Sequence, residues 1–91
     1  MDKRITHDPA RNRFEMEVEG CTAYIRYLAF DGGLDILSTQ VPSQLEGKGI
    51  ASALTKHVLE YARANRLKII PSCSFTLAYI RRHPGDKDLE V

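Results

Sequence analysis

Apolar and polar residues alternate along the first third of the chain with the period of two that is typical of β-strands. Phe14, Met16 and Val18 alternate with glutamates, which predicts a strand with one face in the core. The run Cys21–Phe30 follows a turn at Gly20 and is rich in aromatic and β-branched residues, so we predict a second, central strand there. Its alternate positions form two faces: Ala23, Ile25, Tyr27 and Ala29 on one, and Tyr24, Arg26, Leu28 and Phe30 on the other.

The middle of the chain changes from a strand pattern to a helix pattern. The hairpin signal Asp31-Gly32-Gly33 predicts that residues 34–41 form a third, antiparallel strand. Apolar residues then recur at helical spacing between Ile50 and Ala62, which predicts a helix over about residues 47–66. Residues 67–70 are predicted as a short, buried fourth strand. Because a strand–helix–strand connection joins parallel partners by a right-handed crossover, the fourth strand should lie parallel to the third.

The two ends of the chain carry weaker patterns. Residues 1–12 are polar and broken by Asp8-Pro9, so we expect a loosely ordered leader. Ser72 or Ser74 is predicted to cap a last helix, which ends before Pro84, and residues 86–91 read as a polar tail. The whole pattern predicts one α+β domain over residues 1–91: a mixed sheet of three antiparallel strands, a crossover helix, a parallel fourth strand and a short C-terminal helix.

Composition narrows the class of protein. The 91 residues are 43% hydrophobic and 27% charged, as in an ordinary globular domain. The formal net charge is only +1, which gives no reason to expect a nucleic-acid partner. No apolar run approaches the ~20 residues of a membrane span, and no apolar segment follows the basic start of the chain. Two distant cysteines without metal-ligand spacing favour a reduced, cytoplasmic protein that holds no metal.

A glycine turn between the third strand and the long helix is the strongest candidate site. Gly47 and Gly49 lack a Cβ, so a ligand can approach their peptide groups closely. The first amides of the helix have no intrahelical partner and carry partial positive charge, which favours a phosphate or diphosphate. Lys48 adds a positive charge nearby. The candidate binding residues are Val41, Gln44, Leu45, Glu46, Gly47, Lys48, Gly49, Ile50, Ala51 and Ser52.

Two common nucleotide-binding motifs do not fit this turn. A P-loop needs two glycines four residues apart, followed by Lys and Ser or Thr, and the turn lacks that order. A dinucleotide fingerprint would have Ser52 in place of its third glycine. It would also need alternating parallel units, whereas here hairpin-like strands come first and the chain soon ends.

The pattern Gln44-x-x-Gly47-x-Gly49, followed by Ile50-Ala51, resembles the pyrophosphate motif Gln/Arg-x-x-Gly-x-Gly/Ala of the acetyl-CoA-dependent N-acetyltransferase superfamily. Together with Tyr24-Ile25-Arg26-Tyr27, Pro71-Ser72-Cys73-Ser74-Phe75 and His83-Pro84, it is similar to the very small single-domain members of that group, over roughly residues 14–84. The resemblance implies acetyl-CoA as co-substrate and no metal. It also implies that the third and fourth strands diverge beyond the turn and leave a slot for the pantetheine chain.

Cys73 and His83 are the candidate catalytic residues. Cys73 precedes a predicted helix N-terminus, a setting that lowers the pKa of a thiol, and the resemblance implies an active-site role. That role is either acyl-accepting nucleophile or proton donor to the CoA sulfur. A histidine common at the end of the third strand in the small group is replaced here within Leu37-Ser38-Thr39, and Ser38 is a poor base. His83 is the candidate substitute.

Three functions remain open from the sequence. The first is an N-acetyltransferase that acts on an unidentified small-molecule or peptide amine. The second is a CoA- or acyl-CoA-binding module without turnover, and the third is a small interaction protein that binds no nucleotide. The expected assembly is a monomer or a weak homodimer, because a short sheet has exposed edges.

Overall fold

The computed structural model describes residues 4–91. Four strands come first: β1 (Ile5–Asp8), β2 (Arg13–Val18), β3 (Cys21–Phe30) and β4 (Gly33–Gln40). A 3₁₀ turn (Ser43–Leu45) leads to helix α1 (Ile50–Ala64), which is followed by β5 (Lys68–Ile70). Helix α2 (Ser74–Arg82) and a second 3₁₀ segment (Pro84–Leu89) complete the chain.

The strands form one mixed sheet in the order β1-β2-β3-β4-β5. Neighbours among the first four are antiparallel, whereas β5 returns through α1 and pairs parallel to β4. The predicted α+β class and the parallel strand after the crossover helix are therefore confirmed. β3 lies at the centre of the sheet, as its apolar composition predicted.

The N-terminal segment differs from the predicted leader. Ile5–Asp8 forms an edge strand whose register pairs Ile5 with Met16 and His7 with Phe14. Ile5 is buried, and the His7 ring stacks on Phe14 at 4.1 Å. This strand was not predicted, because an alternating pattern of only two inward-facing side chains is too short to indicate a strand and Asp8-Pro9 follows it directly. The part of this prediction that concerns residues 1–3 lies outside the described residues.

The C-terminal segment is also more ordered than a polar tail. Leu89 is buried in the core, and the Val91 amide donates a hydrogen bond to the Ile69 carbonyl at 3.0 Å. Arg63 on α1 forms an ion pair with Asp88 at 3.0 Å. One leucine among charged residues gave no periodic signal, but it anchors the segment along the outer edge of β5.

Both helix starts differ from the predicted ones. Gly49 is the N-cap of α1, so the helix begins three residues later than expected. Cys73 is the N-cap of α2, and neither candidate serine supplies a capping hydrogen bond. Ser74 is instead the first helical residue, and the Ser72 hydroxyl donates to the Asp35 carboxylate at 2.6 Å. Ser72, predicted as a possible helix cap, therefore hydrogen-bonds to Asp35 of β4 and does not cap α2.

The core lies on one face of the sheet. α1 packs across β2 to β5, and α2 contacts α1 and β4. Phe14, Ile25 and Ile36 are fully buried beneath the helices. On the opposite face Leu28 is 52% exposed and Phe30 is 41% exposed, so no described element covers that face. Within residues 4–91, neither helix is both long enough and apolar enough to cross a bilayer.

An aromatic cluster around His7 gives the fold a predicted dependence on pH. The His7 ring packs against Phe14 and Tyr61, and its Nε2 lies 2.5 Å from the Tyr27 hydroxyl. Burial lowers the pKa of His7 and the nearby His57 lowers it further, while Asp8 opposes the shift. The unfolded chain, with its ordinary pKa of 6.5, therefore takes up the proton more readily than the folded chain does.

We expect the free energy of unfolding to be highest above pH 6.5 and to fall as the pH drops below that value. The slope contributed by one histidine cannot exceed ~1.4 kcal/mol per pH unit. Urea unfolding followed by circular dichroism between pH 7.5 and 5 measures this slope. The slope should be shallower in His7→Gln, and an identical slope in that variant would contradict the assignment.

Candidate functional site

The turn after β4 is built by two glycines in the left-handed region. Gly47 has φ of 81° and Gly49 has φ of 75°, conformations that other L-residues adopt with strain. A Cβ on either residue would meet nothing within 4 Å. Backbone conformation, rather than crowding, therefore requires glycine at both positions, and the space above them is open.

This turn leaves a run of backbone amides without acceptors among the described residues. The amides of Leu45 and Glu46 donate to the carbonyls of Pro42 and Ser43, so they are occupied. The first intrahelical bond of α1 runs from the Ala53 amide to the Gly49 carbonyl at 3.0 Å. Within residues 4–91, the amides of residues 47–52 have no backbone or side-chain acceptor. Because they lie at the positive end of α1, these amides are a candidate anion-binding site.

A groove of about 220 Å³ opens beside these amides. Gln44 and Lys48 do not line it: Gln44 lies exposed in the 3₁₀ turn, and the Lys48 ammonium pairs with Glu19 at 2.6 Å. Phe75 also lines the groove. It was not predicted as a site residue, because the stretch Pro71-Ser72-Cys73-Ser74-Phe75 drew attention to Cys73 alone. The other eight predicted residues all line it: Val41, Leu45, Glu46, Gly47, Gly49, Ile50, Ala51 and Ser52.

The position of Glu46 changes how the sequence motif is aligned. The family pattern also fits from Glu46, with Gly49 and Ala51 at its two small positions and glutamate in place of Gln or Arg. In that alignment all three residues line the groove, whereas Gln44 lies outside it. Glu46 therefore adds a negative charge to the lining of the groove, and this charge opposes an anionic ligand.

β4 and β5 diverge next to the groove. Their parallel pairing ends at Asp35 and Ile70, while β4 continues to Gln40. Beyond this point the Cys73 amide donates to the Ile36 carbonyl at 2.8 Å, and no described strand pairs with the outer edge of β4. β4 thus has an unpaired edge at the place where the resemblance implied a slot, and we call this edge the slot.

Cys73 lies at the inner end of this slot. It is 9% exposed, and its Sγ lies 3.5 Å from the Thr39 hydroxyl. Val41, just after β4, is two residues from Thr39, and Phe75 is two residues from Cys73, so the Cys73 site adjoins the groove that Val41 and Phe75 line. Burial acts to raise the pKa of the Cys73 thiol, but hydrogen bonds from Thr39, Thr76 and Phe75 outweigh it, and the net pKa is lowered.

The fold does not place His83 near Cys73. The two residues cap opposite ends of α2, which at 1.5 Å per residue places their backbones about 15 Å apart. The His83 ring stacks on Tyr79 at 3.9 Å, and its Nδ1 lies 2.8 Å from the Tyr79 carbonyl oxygen. α2 therefore holds His83 away from Cys73, and the two side chains are not in contact.

The strand residue that meets Cys73 is Thr39, not Ser38. A bulge in β4 shifts the register between Arg26 and Tyr27, so that Ser38 pairs with Arg26 on the open face. Thr39 then pairs with the buried Ile25 and faces the helices. Sequence analysis missed Thr39, because no local signal marks the bulge.

The site offers backbone amides, hydroxyls and one thiol. Among residues 4–91, no group of three or more His, Cys, Asp or Glu side chains is placed to hold a metal ion. A mixed sheet with a parallel β4–β5 pair, next to a helix that begins at an open glycine turn, is the fold that the resemblance to the N-acetyltransferase superfamily implied.

Comparisons with known proteins agree with this class. The family model for the GCN5-related N-acetyltransferases matches residues 13–89. An NMR solution structure of a GCN5-like putative N-acetyltransferase from Staphylococcus aureus superposes with a TM-score of 0.74. It is 33% identical and covers 96% of this chain and 86% of its own.

Curated relatives include the proteins called NATD1 from mouse and human. Each is 30% identical over 90 residues, which covers 96% of this chain and 82% and 80% of theirs, respectively. The protein from Xenopus tropicalis is 29% identical over 90 residues. The chain belongs to the GCN5-related N-acetyltransferase family.

Proposed function

We propose that this protein binds acetyl-CoA in the groove and transfers the acetyl group to an amine. The observation that carries the proposal is the open run of amides at residues 47–52, next to a slot that ends at Cys73. Family membership supports the same reaction class.

Two parts of the acetyl donor, acetyl-CoA, are assigned to two parts of the site. We assign its diphosphate to the amides of residues 47–52, which have no competing acceptor among the described residues. We assign its pantetheine arm to the unpaired edge of β4 beyond Ile36, which can form strand-like hydrogen bonds with the two amide groups of the arm. Val41, Leu45 and Phe75 give the groove an apolar wall along this path.

The chain contributes positioning and polarisation to the reaction. Acetyl-CoA, when bound, supplies a thioester carbonyl; amine attack forms the C–N bond, and the C–S bond breaks. Amides on the free edge of β4 donate to the carbonyl oxygen. In this mechanism Cys73 donates its thiol proton to the departing CoA sulfur and regains a proton from the amine nitrogen, so that CoA leaves as a thiol.

Two measurements test the proposal. Calorimetry with acetyl-CoA should show binding, and an absence of heat at millimolar ligand would overturn the proposal. CoA release with a panel of small and peptide amines should then be detectable, and it should fall in Cys73→Ala. Full release in Cys73→Ala would remove Cys73 from the mechanism and leave the acetyltransferase assignment standing.

A second candidate function is a CoA- or acyl-CoA-binding module without turnover. It is favoured by one observation: the groups that face Cys73 are hydroxyls and amides, and the histidine at the end of α2 lies too far away to act on it. Calorimetric binding without CoA release by any amine of the panel would identify this function.

The proposed function includes an acceptor amine, a cellular environment and an oligomeric state. We propose a small-molecule or peptide amine as acceptor, since the described chain adds no element that encloses the slot. Two free cysteines are compatible with a reducing, cytoplasmic environment. A weak homodimer would use the open sheet face, where Leu28 and Phe30 are exposed.

Glu46 is expected to weaken donor binding. Replacing its carboxylate with an amide in Glu46→Gln removes a like charge beside the diphosphate site, so acetyl-CoA should bind about 2- to 5-fold more tightly. Calorimetry at low and at physiological salt measures this gain, which screening should reduce. Glu17→Gln makes the same change in net charge at an exposed position on the open face, and it should leave the affinity unchanged.

A further inference from the structure

Two threonines accompany Cys73, of which Thr39 is half-buried and Thr76 is buried. The Thr39 hydroxyl lies 3.5 Å from the Cys73 Sγ. Thr76 is 1% exposed, and its hydroxyl has no hydrogen-bond partner that meets normal geometry among residues 4–91. A buried hydroxyl without a partner costs roughly 1–3 kcal/mol, so its retention calls for an explanation.

The position of Thr76 on α2 supplies that explanation. Cys73 is the N-cap residue and Thr76 is the third residue of the helix, the pair of positions that face each other in a helix cap. At such an end the free amides of the first turn point towards the N-cap side chain. The Thr76 hydroxyl and these amides therefore lie on the helix side of the sulfur, and Thr39 approaches it from β4.

We propose that Thr39 and Thr76 are positioning residues that hold the Cys73 sulfur in its anionic form, as a site with two hydroxyl donors at the inner end of the slot. Both hydroxyls donate to the sulfur once its proton has left for solvent. The amides of Phe75 and Thr76 complete the set of donors. Four neutral donors thus take the place that a histidine partner would have, and the Thr76 hydroxyl gains an acceptor only when Cys73 is ionised.

The electrostatics of the site agree with this assignment. Burial acts to raise the pKa of Cys73, and the same hydroxyls and amides act in the opposite direction and prevail. The groups that face the sulfur are Thr39 from β4 together with Phe75 and Thr76 from α2, and none of them titrates near neutral pH. The ionisation of Cys73 is therefore set by donors that stay constant across the pH range of interest.

The role in catalysis rests on the proposed function. A thiolate at this position can accept the proton of an acceptor ammonium and then deliver it to the CoA sulfur. One proton moves from nitrogen to the CoA sulfur through Cys73, the second proton of the ammonium leaves for solvent as the amide forms, and Cys73 ends the cycle as the thiolate. The ionisation itself needs neither acetyl-CoA nor an acceptor, so it can be tested alone.

The test is a titration of the Cys73 thiolate by its ultraviolet absorbance, in a Cys21→Ser background so that only one thiol contributes. Thr39→Val should move the midpoint to higher pH and lower the rate of iodoacetamide alkylation at pH 7 by about 3- to 10-fold. Thr39→Ser, which keeps the hydroxyl, should restore both. Thr22→Val makes the same substitution at an exposed strand position and should change neither.

Thr76→Val separates positioning from packing. The proposal expects the midpoint to rise while thermal stability is retained or improved, because the variant removes a buried hydroxyl without a partner. Unchanged midpoints in both valine variants would overturn the proposal. Should Thr39→Val fail to fold by circular dichroism, Thr76→Val decides the question. A protein that fails to bind acetyl-CoA but shows these shifts would refute the proposed function and leave this inference standing.

Discussion

Ser52→Glu should abolish detectable acetyl-CoA binding while raising the stability of the fold. Ser52 is exposed, lines the groove and is the third residue of α1. A carboxylate there interacts favourably with the helix dipole, which is worth about 0.3–1 kcal/mol. The same carboxylate occupies the region assigned to the diphosphate, where like charges cost several kcal/mol, so affinity should fall by about 100-fold or more.

The opposite signs of these two effects make the experiment decisive. Calorimetry measures the loss of binding and thermal unfolding measures the gain in stability on the same sample. Ser52→Lys should retain binding and lose a little stability, since it reverses both charge interactions. Ala78→Glu places the same charge on the exposed side of α2 and should leave affinity unchanged. Normal acetyl-CoA binding by Ser52→Glu would show that the diphosphate does not bind at the start of α1.

Phe14→Ala should cost about 3–5 kcal/mol of unfolding free energy, out of the 5–15 kcal/mol typical of a domain. Phe14 is fully buried, and its ring contacts the rings of His7, Tyr27, His57 and Tyr61. Removing it leaves a cavity between the sheet and α1 that these neighbours cannot fill. Urea unfolding followed by circular dichroism measures the loss.

Phe30→Ala is the matched control for this prediction. Phe30 lies on the open face of β3 and is 41% exposed, so the same truncation there should cost about 1 kcal/mol or less. The contrast follows from a sheet that has helices on one face only. Equal losses in the two variants would mean that something covers the open face in solution, such as a second copy of the chain.

The class of fold was predictable because its signals are local. The alternation around Phe14 and Met16 and the helical spacing from Ile50 to Ala62 each fall within one element. The parallel placement of β5 then follows from the handedness of a single crossover, which holds for nearly all such connections. The segment β1 and the C-terminal residues were not predictable, because each is ordered by one buried side chain and by bonds to distant strands.

The candidate site was also predictable only where its signals are local. Residue types alone placed most of the groove, since glycines before a helix predict open amides wherever the helix begins. They favoured Gln44 over Glu46, because the motif fits fully only from Gln44. The path of the 3₁₀ turn instead places Glu46 in the groove and Gln44 outside it.

The sequence by itself therefore determined the order and type of the elements, the glycine turn and the position of Cys73 at a helix start. Tertiary structure alone decided what surrounds that cysteine. A single extra residue in β4 turns Thr39 towards the sulfur and Ser38 towards the open face of the sheet, and the length of α2 keeps His83 away. The physical reason is that periodicity is set by neighbours a few residues apart, whereas side-chain partners are set by strand register and helix length, which depend on the whole sheet.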